Sequence, residues 1–284
     1  MTTIVGVHGV GNHQAGHPPS TVAAHLATTW QAALTSARSP FPDHATVTAV
    51  YYAHRLRPVG AQAGGDELEQ LSPTAQELVR HWLAALDLPA GTAQGRLTAG
   101  LRQDIARFAQ GRGLNRRFVQ RFIATCFGEV DRYLDPDSPA RHLVRTDIAN
   151  AIAAANRTGP TIVIAHSLGS VATYETLHAY PSLTADLLLT IGSPLAMPHG
   201  VFHRLQPTPQ PRGHRPGNVR HWVNIADIGD IIAIPPYGVS DNFDGVDSDI
   251  HIEIHFADFH LAANYLKTDA IAEALRIHLQ QDQR

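Results

Sequence analysis

Short runs of β-branched and aliphatic residues recur along the chain and predict β-strands. Thr2–Val7 is the first run, and it leads into Gly9 and Gly11, a pattern typical of a strand that enters a tight turn. Further strands are predicted at Thr46–Tyr52, Thr161–Ala165, Leu187–Ile191, Val219–Ile225 and Ile250–Phe256. The pattern therefore predicts a protein built around a β-sheet.

Helical segments separate several of these strands. Ser20–Ala37 predicts a helix with Ser20 as its N-cap, a second helix follows Ser167, and a last helix occupies about 264 to 281. A glycine-bearing connection is predicted over 53–66, and a proline-rich loop from Gln206 to Gly217. Strands that alternate with helices predict an α/β fold, with a mostly parallel sheet and helices on both faces.

The stretch from about 67 to 157 has helical periodicity and no convincing strand. One face of its first helix carries Leu71, Ala75, Leu78, Val79, Trp82, Leu83 and Leu86. Two further faces carry Leu97, Leu101, Ile105 and Phe108, and Phe118, Val119, Phe122, Ile123, Phe127 and Val130. A helix at about 140–156 then leads back to the sheet. We therefore expect a single domain, 1–284, in which a helical insertion at about 60–140 caps the strand ends.

Composition narrows the class of protein and its partners. Apolar residues make up 44% and charged residues 17% of the 284 residues, which is typical of globular proteins. A formal net charge of -3 argues against a nucleic-acid binder, which would carry a basic excess. Cys126 is the single cysteine, so no intrachain disulfide and no cysteine-based metal site is expected. No signal peptide or membrane helix is recognised, which predicts a cytoplasmic protein.

The segment Ile162–Ser170 indicates nucleophilic chemistry. It is an apolar strand, then Ser167 between small residues, then a helix. A serine hydroxyl is a poor nucleophile and must stand exposed within reach of a base, which a sharp strand-to-helix turn provides. The usual signature is G-x-S-x-G, and here Ala165 replaces the first glycine while Gly169 keeps the second. The alternative is a turn whose serine only caps the helix.

An acid and a histidine follow in the positions that such a serine requires. The strand Val219–Ile225 runs into a loop with two carboxylates, Asp227 and Asp230, and either could fix the tautomer of a catalytic histidine. His260 stands out among 18 histidines because it follows the last predicted strand and precedes the last helix. His166, beside the serine, is expected to pack rather than to react.

Five segments together resemble the α/β-hydrolase family, in particular its lipase- and esterase-like branch. His8–Asn12 resembles the family's oxyanion loop, Ala165–Gly169 its nucleophile elbow, and Ile191–Leu195 a segment common after the next strand. Asp230–Ile232 is similar to an Asp-Pro-Val-like run, with Ile in place of Pro, and Asp258–Tyr265 resembles the histidine loop. The resemblance covers 2–52 and about 140–284, and it suggests a trimmed version of the family.

The resemblance implies a role for each residue of the site. Ser167 would be the nucleophile, His260 the general base, and Asp230, rather than Asp227, the acid that orients the histidine. An oxyanion hole is implied at the backbone N–H groups of Leu168 and Val10, with Gly11 as the alternative to Val10. His8 is expected to orient that loop by hydrogen bonding. The glycines of the loop do not form G-x-G-x-x-G, which argues against nucleotide binding.

The expected function is a serine hydrolase that cleaves carboxylic esters through an acyl-enzyme. Its partner would be a small-molecule acyl ester or thioester, with no nucleic acid and no cofactor. The same triad would also serve a thioesterase, an acyltransferase or a peptidase. A non-catalytic binding protein on a hydrolase fold is the alternative from a different class.

The histidines could also be interpreted as ligands of a metal centre, but the sequence supports this less well than a catalytic histidine, and we expect no metal. His251, His255 and His260 could form a triad, as could His199 with His203, but no H-E-x-x-H motif is present. His251 and His255 alternate with isoleucines, which predicts the polar face of a strand.

The insertion is locally basic. Its arginines are Arg96, Arg102, Arg107, Arg112, Arg116, Arg117, Arg121 and Arg132, against the acids Asp104, Glu129 and Asp131. The simpler interpretation is a solvated helix face. The alternative is a cap that makes peripheral contact with lipid or with an anionic substrate.

Overall fold

The computed structural model describes residues 1–36, 45–57, 68, 70–86, 97–111, 113, 115–254 and 260–281. Its first elements are β1 (Thr2–Val7), α1 (Pro19–Thr35), β2 (Ala45–Val50), α2 (Pro73–Ala85), α3 (Leu97–Gly111), α4 (Arg116–Leu134) and α5 (Ala140–Asn156). The middle of the chain forms β3 (Thr161–His166), α6 (Leu168–Ala179), β4 (Ala185–Ile191), β5 (Gly213–His214) and β6 (Val219–Asp227). The last elements are α7 (Gly238–Asn242), β7 (Phe243–Asp244), β8 (Ser248–Ile252), α8 (Ala262–Leu266) and α9 (Asp269–Gln281).

Six strands form one sheet in the order β2-β1-β3-β4-β6-β8, and each neighbouring pair is parallel. β5 and β7 form a separate two-stranded pair. In the main sheet Val7 lies opposite Ala165, and His166 lies opposite Ile191, which in turn lies opposite Ile225. This register brings the carboxyl ends of the central strands to one edge, where α/β proteins place their ligands. The predicted α/β fold with a mostly parallel sheet is confirmed.

Apolar side chains on both faces of the sheet explain its helical layers. In β3, Val163 and Ala165 face one core, while Ile162 and Ile164 face the other. The first core includes buried residues of α5 and α6, and the second includes residues of α1, α8 and α9. A strand that is buried on both faces has a continuous run of apolar residues. For this reason β3 can be recognised in the sequence.

Helices α2, α3 and α4, here called the cap helices, lie between β2 and β3 in the chain and extend the first core. Ser72 N-caps α2 by accepting from Ala75 N–H, and Pro73 supplies the first helical residue. Trp82 is fully buried, and its Nε1–H donates to Ile231 C=O at 2.6 Å. The cap helices are thereby tied to the loop that follows β6.

Three local predictions need correction. Ser20 is not the N-cap of α1, because the helix begins at Pro19, a residue whose fixed φ suits the first helical position. Phe118 is 52% exposed, since the 100° turn per residue places it off the buried face that holds Val119 and Ile123. The predicted last helix is two helices, α8 and α9, separated at Thr268, whose hydroxyl bonds back to Tyr265 C=O.

Other predicted boundaries shift or fall outside the described residues. β8 ends at Ile252 rather than at 256, and His255 lies outside the described part of the chain. Residues 53–56 form a short 3₁₀ turn, and only 53–57 of the predicted 53–66 connection are described. Within the described ranges, no helix has the length and apolar content required to cross a bilayer.

Candidate active site

Ser167 stands on a strained turn at the carboxyl end of β3. Its backbone angles are φ 53° and ψ -128°, which an L-residue rarely adopts. The turn is held by Ser167 N–H, which donates to Ile191 C=O at 3.1 Å, and by Ser170 N–H, which donates to Ser167 C=O at 2.9 Å. α6 begins immediately afterwards at Leu168, so the positive end of the helix dipole lies beside the hydroxyl.

Two glycines allow this turn to fit against β1. A Cβ on Gly169 would lie 2.4 Å from His8 O and 2.6 Å from Val7 O. A Cβ on Gly9 would lie 2.6 Å from Ser167 Cβ. Because both positions meet the backbone or the nucleophile itself, a larger residue at either would displace the serine.

His260 joins the serine to a buried carboxylate. Its Nε2 lies 2.8 Å from Ser167 Oγ, and its Nδ1 lies 2.7 Å from Asp230 Oδ2. A carboxylate can only accept, so Nδ1 carries the proton and Nε2 is free to accept from the serine hydroxyl. All three residues are buried, and the ring of Phe122 in α4 meets the His260 ring edge-on at 5.9 Å.

Asp230, not Asp227, is the carboxylate bonded to His260. Asp230 Oδ1 accepts from Ile232 N–H at 2.8 Å, and Oδ2 accepts from the Tyr265 hydroxyl at 2.7 Å as well as from the histidine. Burial alone would raise the pKa of Asp230, but His260, the Tyr265 hydroxyl and the Ile232 N–H stabilise its charged form and lower that pKa.

Asp227 has a structural position at the end of β6. Its Oδ1 accepts from Ile254 N–H at 3.0 Å, which ties the loop after β8 to β6. Its own N–H donates to the Tyr265 hydroxyl at 2.9 Å. Tyr265 therefore links the two aspartates, because the same hydroxyl accepts from Asp227 and donates to Asp230. Gly192 leaves room for this arrangement, since a Cβ there would lie 2.9 Å from Asp230 Oδ2.

The loop after β1 faces the elbow and is fixed by side chains of its own and of the segment after β2. Tyr52 N–H donates to His8 Nε2 at 3.2 Å, so the neutral His8 ring carries its proton on Nδ1, which donates to Gly9 C=O at 2.7 Å. The Tyr52 hydroxyl donates to His8 C=O. Burial lowers the pKa of His8 to about 4, which keeps the ring neutral in this network.

The two predicted oxyanion donors lie where the fold leaves backbone N–H groups available. Leu168 is the first residue of α6, and the first N–H groups of a helix have no partner within it. Val10 lies in the loop after β1. Within the described part of the chain, neither N–H is bonded to another loop or to a side chain. Gly11 N–H, the predicted alternative, instead donates to Glu129 Oε2 at 3.1 Å.

Glu129 was not recognised as a site residue from the sequence. It lies on α4, is buried, and reaches a loop 118 residues away. Nothing in the local pattern distinguishes it from the other acids of the insertion, because its position depends on how α4 packs against the sheet. The periodicity of α4 was the only available signal, since Cys126 and Val130 flank it on the buried side.

Two other reactive side chains lie beside the nucleophile. His166 is buried, its ring lies 4.8 Å from that of His260 and bonds the backbone of that residue, and burial lowers its pKa well below the usual value. Cys126 is also buried, and burial together with Glu129 and Asp230 raises the pKa of its thiol. His166 therefore stays neutral and Cys126 stays protonated, so neither places a charged side chain beside Ser167.

An apolar cavity opens directly beside the serine. It is lined by Leu78, Cys126, Phe127, Val130, Ser167, Pro194, Met197, Val201 and Ile232. The lining combines the cap helices with the segments that follow β4 and β6. Such a cavity suits an apolar group of a ligand bound at Ser167.

The other histidines considered as metal ligands have local contacts of their own. His251 Nε2 accepts from Tyr237 N–H at 2.9 Å, and His199 lies between His81 and His203 at ring distances of 5.5 and 5.6 Å. Across the described residues, no group of three or more His, Cys, Asp or Glu side chains has the geometry of a metal site.

Of the arginines in the insertion, Arg96 and Arg112 lie outside the described residues, whereas Arg116, Arg117 and Arg121 are exposed on α4. Arg107 forms a surface ion pair with Asp104 at 3.0 Å.

Comparison with protein-family models finds no match to this chain, and comparison with curated proteins finds none either. A functional assignment therefore depends on the geometry of the site.

Proposed function

We propose that this protein is a serine hydrolase of the α/β-hydrolase type that cleaves carboxylic esters. The observation that carries the proposal is the bonded chain from Ser167 Oγ through His260 to Asp230, at 2.8 and 2.7 Å, on a strained strand-to-helix turn. Strain of this kind persists where the surroundings hold it, and it is concentrated at functional sites.

The order of these residues along the chain and the sheet supports the hydrolase-type fold. The nucleophile follows β3, the acid follows β6 and the histidine follows β8, which is the chain order Ser…Asp…His. β3 lies at the centre of the sheet and β8 at its edge, so the acid and the base approach the serine from the same side. The loop after β1, the neighbour of β3, meets the elbow from the other side.

The acylation step follows from these positions. His260 Nε2 takes the proton of Ser167 Oγ while the oxygen attacks the carbonyl carbon of the ester. The carbonyl oxygen becomes negative, and the N–H groups of Leu168 and Val10 are the donors offered to it. The intermediate collapses, the bond to the alcohol oxygen breaks, and the protonated His260 returns its proton to the leaving alkoxide. Asp230 stabilises the imidazolium throughout.

Deacylation repeats the sequence with water in place of the serine. His260 takes a proton from water, the hydroxide attacks the acyl carbon, and the acid is released as Ser167 regains its proton. A thiol ester, an amide or a second alcohol would enter the same cycle, so thioesterase, peptidase and acyltransferase activities share this chemistry.

The cavity favours an apolar acyl group. Its lining of aliphatic and aromatic side chains would remove such a group from water, whereas a charged acyl group would lose its hydration without a partner. An ester is preferred over an amide as substrate because an alkoxide leaves more readily than an amide nitrogen. Thiol esters remain the second candidate on the same cavity.

A panel of p-nitrophenyl esters and thioesters of increasing acyl length tests the proposal. We expect saturable turnover of apolar acyl esters, with a dependence on acyl length that reports how much of the chain the cavity accepts. Ser167→Ala should abolish turnover, and Thr176→Ala, which removes a buried hydroxyl farther along α6 that bonds Ala172 C=O, is the matched control. Absence of turnover on the whole panel, or turnover that survives in Ser167→Ala, would contradict the proposal.

A further inference from the structure

The carboxylate of Glu129 is the point at which the cap touches the oxyanion loop. Glu129 is only 9% exposed, and its Oε2 accepts from the backbone N–H of Gly11 at 3.1 Å. The same helix places Thr125 near Gly11, 3.9 Å from where a Cβ would lie. Burial of a carboxylate costs folding free energy unless the group is hydrogen-bonded, so the contact of Glu129 with this loop requires a physical explanation.

The peptide unit between Gly9 and Val10 is held by hydrogen bonds to its carbonyl group. Gly9 C=O accepts from His8 Nδ1 at 2.7 Å and from Asn12 Nδ2 at 3.1 Å. In a trans peptide the N–H points opposite to the C=O of the same unit. Two donors on the Gly9 carbonyl therefore fix the direction of Val10 N–H, the proposed oxyanion donor.

The next peptide unit, between Val10 and Gly11, is held by hydrogen bonds at both its carbonyl and its N–H group. Val10 C=O accepts from Asn12 Nδ2 at 3.1 Å, and Gly11 N–H donates to Glu129. Asn12 belongs to the loop itself, and His8 is held by Tyr52 from the segment after β2. Of the two contacts to the unit between Val10 and Gly11, only the one from Glu129 comes from a separate element. Gly11 has φ 75°, a conformation that glycine adopts without strain, so the loss of this contact would allow the peptide unit before Gly11 to turn about that residue.

We propose that Glu129 is a positioning residue of the oxyanion hole, which makes α4 a part of the catalytic unit rather than only a cover for the substrate. The inference rests on the proposed serine hydrolase function. Glu129 acts through Gly11 on the orientation of Val10 N–H and does not touch the substrate.

The surroundings of Glu129 indicate that its acceptor oxygen matters more than its charge. Burial raises the pKa of Glu129 to about 7, although Gly11 N–H and Arg57 lower it. Tyr52 and Cys126 are two further titratable groups within electrostatic reach of Glu129, and neither carries a positive charge. Both the carboxylate and the protonated acid retain an oxygen that accepts from Gly11. A glutamine at this position keeps such an oxygen as well.

The test compares Glu129→Ala with Glu129→Gln, and uses Asp131→Ala as the matched control on the same helix. Asp131 accepts from the Ser72 hydroxyl at 2.7 Å, so its removal weakens the cap without touching the oxyanion loop. Each variant is measured for kcat and KM on the best ester, for thermal midpoint, and for amide exchange at Gly11. Affinity for a trifluoromethyl ketone is compared with affinity for the methyl ketone of the same chain, because only the former forms a stable oxyanion on Ser167.

We expect Glu129→Ala to lower kcat by about 10- to 100-fold with little change in KM, less than the loss of an oxyanion donor itself. Affinity for the trifluoromethyl ketone should fall by a similar factor while methyl ketone affinity is kept. Gly11 amide exchange should rise by about ten-fold. Glu129→Gln should stay close to wild type, and Asp131→Ala should lose thermal stability but keep kcat.

Three outcomes would overturn the inference. One is wild-type kcat in Glu129→Ala, and another is a Glu129→Gln variant as impaired as Glu129→Ala. The third is an equal loss of kcat in Asp131→Ala, which would assign the effect to cap stability alone. These outcomes occur in an active wild-type enzyme and leave the hydrolase proposal intact. A wild-type protein without turnover and without reaction at Ser167 would instead remove the proposed function, and this inference with it.

Discussion

At Ser167 the chain accepts backbone angles of φ 53° and ψ -128°, and neighbouring residues keep them in place. Gly169 lets the elbow lie against the carbonyl groups of β1, and Ser170 Oγ bonds Ser167 C=O at 2.6 Å and Ser193 Oγ at 2.7 Å. A serine that merely capped a helix would accept from the helix N–H groups, whereas Ser167 makes no such side-chain bond. The hydroxyl is instead directed at His260.

The two aspartates of the loop after β6 should differ sharply in their effect on turnover. Asp230→Asn removes the acceptor that fixes the His260 tautomer and stabilises its charge, so turnover should fall by on the order of 10² to 10⁴ while the protein stays folded. Asp227→Asn is the control, because its carboxylate bonds only to Ile254 N–H among the described residues. A larger loss in Asp227→Asn, measured on the same ester, would reverse the assignment.

His8 should make folding stability depend on pH. Its pKa is lowered from 6.5 to about 4 by burial, so between these values the unfolded chain binds more protons than the folded protein. This contribution, about 3 kcal/mol, is present above pH 6.5 and is lost as the pH falls towards 4. His8→Asn keeps a donor for Gly9 C=O but removes the titration. The free energy of unfolding of both proteins can be measured in urea at several pH values across this range. It should change less steeply with pH in the variant, and an equal dependence on pH in the two proteins would refute this account of His8.

Among the elements, the cap helices contact the site at three separate points. Trp82 of α2 bonds the loop that carries Asp230, Phe122 of α4 packs on His260, and Glu129 of α4 bonds the oxyanion loop. Two of the cap helices, α2 and α4, therefore contact the loop that carries Asp230, the His260 ring and the loop after β1, and they also line the cavity. In the proposed hydrolase, substrate specificity and the precision of the triad geometry would be coupled through these two helices.

Trp82→Phe tests the contact between the cap helices and the acid loop. The change leaves the buried Ile231 carbonyl without its donor and should cost about 1–3 kcal/mol of unfolding free energy. It should also lower kcat, because the loop that holds Asp230 loses an anchor. Phe108→Leu is the control, since Phe108 packs edge-on against Trp82 at 5.2 Å within the same core and its substitution keeps the Trp82 indole that donates to Ile231 C=O. Equal kcat in the two variants would show that the anchor is not used in catalysis.

The sequence predicted the strands of the sheet better than the insertion. β1, β3 and β4 were recognised because runs such as Ile162–Ile164 are apolar on both faces. Phe118 was assigned to the core because spacing alone does not say where the edge of a buried helix face lies. Glu129 was not recognised because its contact spans 118 residues and leaves no local pattern. Position in the sequence alone did not decide whether Asp227 or Asp230 bonds the histidine. The resemblance to the hydrolase family favoured Asp230, which is the residue that the fold brings to His260.

In the whole molecule, the parallel sheet accounts for the meeting of distant residues. Because every neighbouring pair is parallel, the segments after β1, β3, β6 and β8 emerge at the same edge, and His8, Ser167, Asp230 and His260 arrive there from four parts of the chain. The insertion enters between β2 and β3 and packs against that edge without interrupting the sheet. Two cores, one on each face, hold the strands in register beneath the site.

The central claim is that Ser167 is a nucleophile activated by His260, and reaction with a fluorophosphonate probe tests it most directly. We expect one adduct per chain, located on the peptide that contains Ser167 by mass spectrometry, formed at a rate that falls sharply in His260→Ala and is absent in Ser167→Ala. His166→Ala, which changes the other histidine beside the serine, should still be labelled at Ser167. A wild-type protein that stays unlabelled, or labelling that persists in Ser167→Ala, would contradict the account.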